Sequence, residues 1–419
     1  MKTYYAERLL TLFLICVTLY LLIDSAFEIP SYSSFEISEW LINYQARFVR
    51  RGLFGEILFN TFNFHPFSVK LFILYIEFLF FFLCIIVVCR FLIKLRYSLL
   101  PILLPFSCNF THLAWYRRDF LVLCLFFITI HFAFLYYQRK NVVWLFLSVI
   151  LCSLTIIIYE PSFFIMCPLF WVFLWGRINN IKSTFFRLGL IALASLPLLC
   201  MFLTCFYKGN PQMAVEIWHS WNKLFLYYPE ETIFTPVGLG VDFIGWNICD
   251  VYQWHLNLNF DYNLGCYHII RRIIDMFVLI VIVCYIVSKN PRINNQTQSL
   301  MTNDMGREQY ITSIILFQLM MMLPMLTLLS TDFGRNILFI IFTTYIIVYY
   351  SEEHKVKLAL PYFINSTAQF VYNKIMCYDF MNSKWLYLLM ILLMPLKPYP
   401  MPHLNDSLLM KLLTLIYAI

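Results

Sequence analysis

The chain has 419 residues, 61% of them hydrophobic and only 13% charged, against roughly 45–50% apolar and about 25% charged in an ordinary soluble domain. A water-soluble fold has no interior large enough for that much apolar side chain, which sets aside a soluble globular enzyme. The net charge of +7 is spread thinly over many short loops and gives no support to nucleic-acid binding.

A bilayer crossing takes about 20 mostly apolar residues, and such runs recur along the whole chain. The expected fold is therefore all-α: a polytopic transmembrane helical bundle of ten to twelve spans, forming a single integral membrane domain over residues 1–419. Spans are expected near 9–27, 69–93, 98–113, 119–137, 142–158, 161–175, 185–206, 272–288, 310–329 and 336–350, with shorter candidates at 385–396 and 407–419. Lys2 and Arg8 precede the first span as they would a secretory signal, but no small-x-small cleavage site follows, so it is expected to be a retained helix.

Lys and Arg concentrate in cytoplasmic loops. With the N-terminus inside, every inner loop carries cations: Arg90, Lys94 and Arg96, then Arg139 and Lys140, then Arg177, Lys182 and Arg187, and so on to Lys384. The outer cations instead fall in compact groups. The outer side also holds the two long non-spanning segments, about 28–68 and 207–271, which in a bacterial inner membrane face the periplasm.

Four charged constellations are expected on that side. The first is the run from Asn43 to Glu56, where Arg47, Arg50 and Arg51 lie close to Gly52 and Gly55. Guanidinium forks match phosphate oxygens two at a time; the alternative is an interfacial amphipathic helix whose arginines touch lipid phosphates. In the second, Arg117, Arg118 and Asp119 open a helix, where they serve either a ligand or a cap-and-pair role at the helix start. The third is Tyr159-Glu160-Pro161, a carboxylate at a helix end before a helix-breaking proline, and Glu160 is the preferred general base. The fourth is Asp332 with Arg335, three apart on one helical face, either as a local ion pair or as a phosphate-binding arginine oriented by its carboxylate. Catalytic candidates are thus Glu160, Asp119 and Asp332, and phosphate-binding candidates are Arg47, Arg50, Arg51, Arg117, Arg118 and Arg335.

The segment 207–271 interleaves aromatic residues with carboxylates and histidines, including Asp242 and Trp246. Flat rings suit the C–H faces of sugars, so Trp218, His219, Trp221, Trp254 and His255 are expected to contact glycan. Cys249 and Cys266 fall in the same segment, where an oxidising compartment permits a disulfide. No Gly-rich phosphate loop, His-Glu-x-x-His, Cys-x-x-Cys or Gly-x-Ser-x-Gly is present, which argues against ATP hydrolysis and thiolate-held zinc. No metal and no cofactor is expected.

Length, span number, Phe/Ile/Tyr richness and large outer loops together resemble the O-antigen polymerases of Gram-negative surface-polysaccharide clusters. That resemblance implies joining of glycan repeat units carried on undecaprenyl pyrophosphate at the periplasmic face, with a repeat-unit flippase and a chain-length regulator as partners besides membrane lipid. The long outer segment after the first span departs from that pattern and is similar to polyprenyl-phosphate-sugar glycosyltransferases that convert serotype. In those enzymes an acidic residue of the first outer loop is catalytic, which points to Glu28, Glu36 or Glu39. A non-enzymatic transporter of lipid-linked glycans is the third reading; it calls for ionisable residues at mid-membrane and internal repeats, whereas the charges here collect at outer helix ends.

Overall fold

A computed structural model describes residues 32, 34–62, 67–94, 118–178, 181–207, 209–227, 240–246, 307–327, 333–354, 358–376 and 383–393, with a few isolated positions beyond them. The fold is all-α, and no β-strand forms among the described residues. The chain divides into two compact units, one of residues 27–85 and 114–254, the other of residues 1–26, 86–113 and 255–419. The expected spans at 9–27 and 98–113, most of those at 272–288 and 407–419, and the Cys249–Cys266 pair lie outside the described residues.

The first unit opens with α1 (Phe35–Trp40), α2 (Gly52–Phe62) and α3 (Phe67–Lys94). Ser34 caps α1 by accepting from the Ile37 N–H at 3.3 Å. The helices α4 (Asp119–Arg139) and α5 (Val142–Ile158) follow as an antiparallel hairpin. Two residues make that turn: Lys140 stops α4 in the left-handed region at φ 54, and Asn141 caps α5 by accepting from the Val143 N–H at 3.0 Å. Inside the hairpin the Ser148 hydroxyl donates to the Thr129 carbonyl at 2.9 Å, satisfying a buried polar group across the interface.

Extended backbone at Tyr159 ends α5, and Pro161 precedes α6 (Ser162–Ile178). The next apolar run forms α7 (Thr184–Ala194) and α8 (Leu196–Phe206), interrupted at Ser195 where Pro197 supplies no N–H. The Trp171 indole donates to the Ala194 carbonyl at 2.7 Å and ties that break to α6. Beyond it come α9 (Pro211–Ser220), capped by Asn210, α10 (Asn222–Tyr227) and a 3-10 turn at Asp242–Gly245.

Two described helices are long and apolar enough to cross a membrane: α4, and the continuous run Thr184–Phe206 made by α7 and α8. At 21 residues α4 spans about 32 Å, near the thickness of a hydrocarbon core. The run α7–α8 turns large apolar side chains outward, with Phe185 89% and Phe206 78% exposed, and α3 does the same with Leu71, Tyr75, Phe78 and Phe82. Apolar faces of that extent are costly in water.

In the second unit, α11 (Arg307–Met321), the short α12 (Leu323–Thr327), α13 (Phe333–His354), α14 (Tyr362–Val371) and α15 (Lys384–Leu392) are described. Gln318 on α11 donates to Thr343 at 2.7 Å and accepts from Thr344 at 2.6 Å, a buried polar clasp onto α13. The expected span 310–329 is thus divided at Met322, next to Pro324.

Candidate functional site

The antiparallel path of the first unit brings the start of α4, the end of α5, the start of α6 and the residue after α8 to one end of its bundle. Hydrogen bonds among Arg118, Ile158, Glu160 and Tyr207, relayed by Arg50 and Arg51, demonstrate the convergence. Arg51 sits at φ 64, in the left-handed region, immediately before α2. Such strain in a residue with a Cβ persists only where the surroundings enforce it. Here two carboxylates do so: Arg51 Nε donates to Glu160 Oε2 at 2.7 Å and Nη1 to Glu39 Oε1 at 2.5 Å. The same guanidinium lies over the Tyr159 ring, 5.2 Å from its centroid.

Arg50 shares the Glu160 carboxylate more loosely, Nη1 to Oε1 at 3.4 Å. Its Nη2 donates to the Phe243 and Trp246 carbonyls of the 3-10 turn, and its backbone N–H to the Tyr207 carbonyl at 3.3 Å. Arg118, only 2% exposed, spends its guanidinium on carbonyls: Nη1 donates to Ile158 at 3.1 Å and Arg51 at 3.3 Å, and Nη2 to Glu39. The Trp40 ring covers it at 5.0 Å. Both Arg50 Nε and Arg118 Nε are buried without a hydrogen-bond partner.

A second polar knot braces the loop from below. Glu56 accepts from the Tyr44 backbone N–H at 2.8 Å and from the side chains of Gln45 at 3.1 Å and Asn60 at 2.9 Å. Gly55 permits this turn, because a Cβ there would collide with the Ile42 carbonyl group.

The fields follow from these contacts. Burial alone raises the Glu160 carboxyl, but Arg51 and Arg50 outweigh it and hold it at about 2. Burial pulls Arg118 down to about 10 against the opposing pull of Glu39, so it stays charged at neutral pH. Burial likewise lowers Arg50. For Arg51, Glu160 and Glu39 together overcome burial and raise it. A carboxylate held near 2 is a poor proton acceptor at neutral pH; its geometry suits it to fixing two guanidinium groups.

Of the candidates named from sequence, Arg50, Arg51, Arg118 and Glu160 meet in this cluster. Asp119 is buried in the first turn of α4 beside it, and Arg47 is exposed on the preceding loop. Arg117 and Asp332 lie outside the described residues, as does the side chain of Arg335 on α13. Among the three acidic residues of the first outer segment, Glu39 is the one that meets Arg51; Glu36 is half-buried on α1, and Glu28 lies outside the described residues.

The aromatic candidates divide differently. Trp218 and Trp221 are 1% and 2% exposed, and Trp221 donates its indole N–H to the Leu41 carbonyl at 2.8 Å with its ring against Phe59. Trp218 packs on Phe225 of α10 at 4.4 Å and Trp221 on the α1–α2 segment, which leaves no open ring for a sugar. His219 is exposed beside Asn222, while Trp254 and His255 lie outside the described residues.

Sequence reasoning passed over two features. Glu77 is ten residues into α3, yet α3 begins before α4 does, so Phe81 packs edge-on to Phe120 and Cys84 meets Cys124. Glu77 is thereby level with the start of α4, within the fields of Asp119 and Arg118, fully buried and with neither oxygen hydrogen-bonded. The second feature is that the residues whose backbone carbonyls bond Arg50 are aromatic, Tyr207, Phe243 and Trp246, with Phe48 against Tyr207. Among the described residues no group of three or more His, Cys, Asp or Glu is arranged to hold a metal ion. No protein-family model, no curated protein and no solved structure matches the chain.

Proposed function

We propose that the chain is a multi-pass protein of a bacterial inner membrane, with ten to twelve spans and a cytoplasmic N-terminus. In this reading it is a glycosyl-transfer enzyme of the O-antigen polymerase kind, joining glycan repeat units carried on undecaprenyl pyrophosphate. The observation that carries this reading is the meeting of Arg50, Arg51, Arg118 and Glu160 at one end of the helices of the first unit. Outward-turned apolar faces on α3 and on α7–α8 support burial in lipid, where charged groups are retained mainly for function or pairing.

Chemically, the acceptor hydroxyl attacks the anomeric carbon of the donor, the polyprenyl pyrophosphate departs with the bonding electrons, and the hydroxyl proton passes to the departing pyrophosphate oxygens. Arginine stabilises the charge that grows on those departing oxygens. Arg50 has capacity left for it: its ion pair with Glu160 is long, 3.4 Å, and its side chain is 16% exposed. Arg51, held by two carboxylates, and Arg118, buried against backbone carbonyls, act by holding the loop, while Glu160 positions the two neighbouring guanidinium groups.

The second reading, a polyprenyl-phosphate-sugar glycosyltransferase that decorates O-antigen, is favoured by the Glu39–Arg51 pair, an acidic residue of the first outer segment inside the cluster. Lipopolysaccharide gels separate the two. A deletion strain complemented with wild type or with Arg50→Ala is expected to show a ladder only with wild type, and core plus a single repeat unit otherwise. An intact ladder with altered serology supports the decorating enzyme; an intact ladder with unchanged serology removes both.

A further inference from the structure

The aromatic residues around Arg50 form a collar with a defined geometry. Phe48 stacks on Tyr44 with centroids 4.9 Å apart, and Tyr207 meets Phe48 edge-on at 5.4 Å. On the 3-10 turn whose carbonyls accept from Arg50, Phe243 and Trp246 stack on each other at 4.8 Å, and Phe243 also meets Phe35 edge-on at 5.3 Å. Three of these residues hold Arg50 through their carbonyls: Tyr207 accepts from its backbone N–H, and Phe243 and Trp246 from its guanidinium. The aromatic residues and Arg50 are therefore fixed to one another through the backbone.

The collar is also open. Phe48 is 45% and Tyr207 51% exposed, and the Arg50–Glu160 pair beneath them is itself partly accessible. Large rings left half-open beside an incompletely used guanidinium are a costly arrangement in a free surface. It matches a ligand with an anionic group next to a flat, weakly polar face. A pyranose attached to phosphate has that form: axial C–H groups polarised toward an aromatic face, with the phosphate one bond away.

We infer that Phe48 and Tyr207, with Phe243 and Trp246 of the 3-10 turn, bind the sugar ring adjoining the phosphate that Arg50 holds. This places the glycan subsite on the loop after α8 and the 3-10 turn, and away from the buried Trp218 and Trp221. The inference rests on the lipid-linked-glycan reading above and adds the location and chemistry of its sugar subsite.

The test uses the full-length protein in detergent micelles and thermophoretic titration with two probes: undecaprenyl pyrophosphate, and the same carrier bearing one glycan repeat unit. Wild type is expected to bind the sugar-bearing carrier about tenfold more tightly than the bare one. Phe48→Ala and Tyr207→Ala should erase that preference while keeping the affinity for the bare carrier, which also certifies their fold; Tyr207→Phe should keep the preference. Equal affinity of wild type for both probes overturns the sugar subsite and leaves the carrier-binding reading standing, as does a preference that survives both alanine variants. Binding of neither probe overturns the reading on which the subsite rests.

Discussion

Replacing Glu160 by Gln tests whether the cluster is held by charge. The substitution keeps the size of the side chain and one acceptor for Arg51, but removes the negative charge shared by Arg50 and Arg51. A carboxyl lowered from 4.5 to about 2 corresponds to about 3 kcal/mol of stabilisation when fully ionised. Because the folded-state value lies below the unfolded one, that contribution is complete above about pH 5 and is lost as pH falls toward 2. About half of it is gone by pH 3. At pH 7 the variant is expected to melt roughly 3–4 °C below wild type in detergent, measured by a thermal shift of the purified protein. The gap should narrow on titration from pH 5 to pH 3. A melting point equal to wild type at pH 7, or a gap that stays constant down to pH 3, refutes the electrostatic account of the cluster.

Other expectations concern the surrounding structure. Gly55→Ala drives a Cβ into the Ile42 carbonyl and should cost about 3 kcal/mol or more, whereas Gly189→Ala, with nothing within 4 Å, should be neutral or stabilise α7; thermal shifts of the pair compare a crowded glycine with an open one. Gln318→Leu removes both bonds to Thr343 and Thr344 and should lower stability by about 1 kcal/mol, read as a small loss in melting temperature. Of the free cysteines at 84, 124, 152, 167, 200 and 205, only Cys205 is exposed, so a maleimide followed by peptide mass mapping should modify Cys205 and spare the other five.

Much of the helical framework was legible in the chain itself. The expected span 142–158 coincides with Val142–Ile158 because an Asn cap opens it and a proline follows its end. Interruptions at Ser195 and Met322 each sit beside a proline, a signal present in the sequence but outweighed by the continuous apolar pattern. The arginines and Glu160 stood out because charge is rare in so apolar a chain. Their partners did not. Phe48 and Tyr207 are ordinary residues among 43 Phe and 28 Tyr, and only the path of the backbone around Arg50 sets them apart. Trp218 and Trp221 misled for the complementary reason: an aromatic residue in a polar segment looks available until the helix that carries it turns it inward. Glu77 drew no attention in the sequence, since helix offset is a tertiary property that no local pattern encodes.

The contacts of the arginine cluster also impose an order on biosynthesis. Arg51 reaches across 109 residues to Glu160, and Arg50 across 193 to Phe243. Neither bond can form while the ribosome is still making the intervening helices, so at first Arg51 has only the local Glu39 carboxylate, 12 residues away, and Arg50 waits for most of the unit to be made. Contacts that span so much chain close late. A chain that ends before the 3-10 turn already holds both carboxylate partners of Arg51 but lacks the Phe243 and Trp246 carbonyls, so Arg50 is the last member of the cluster to be satisfied.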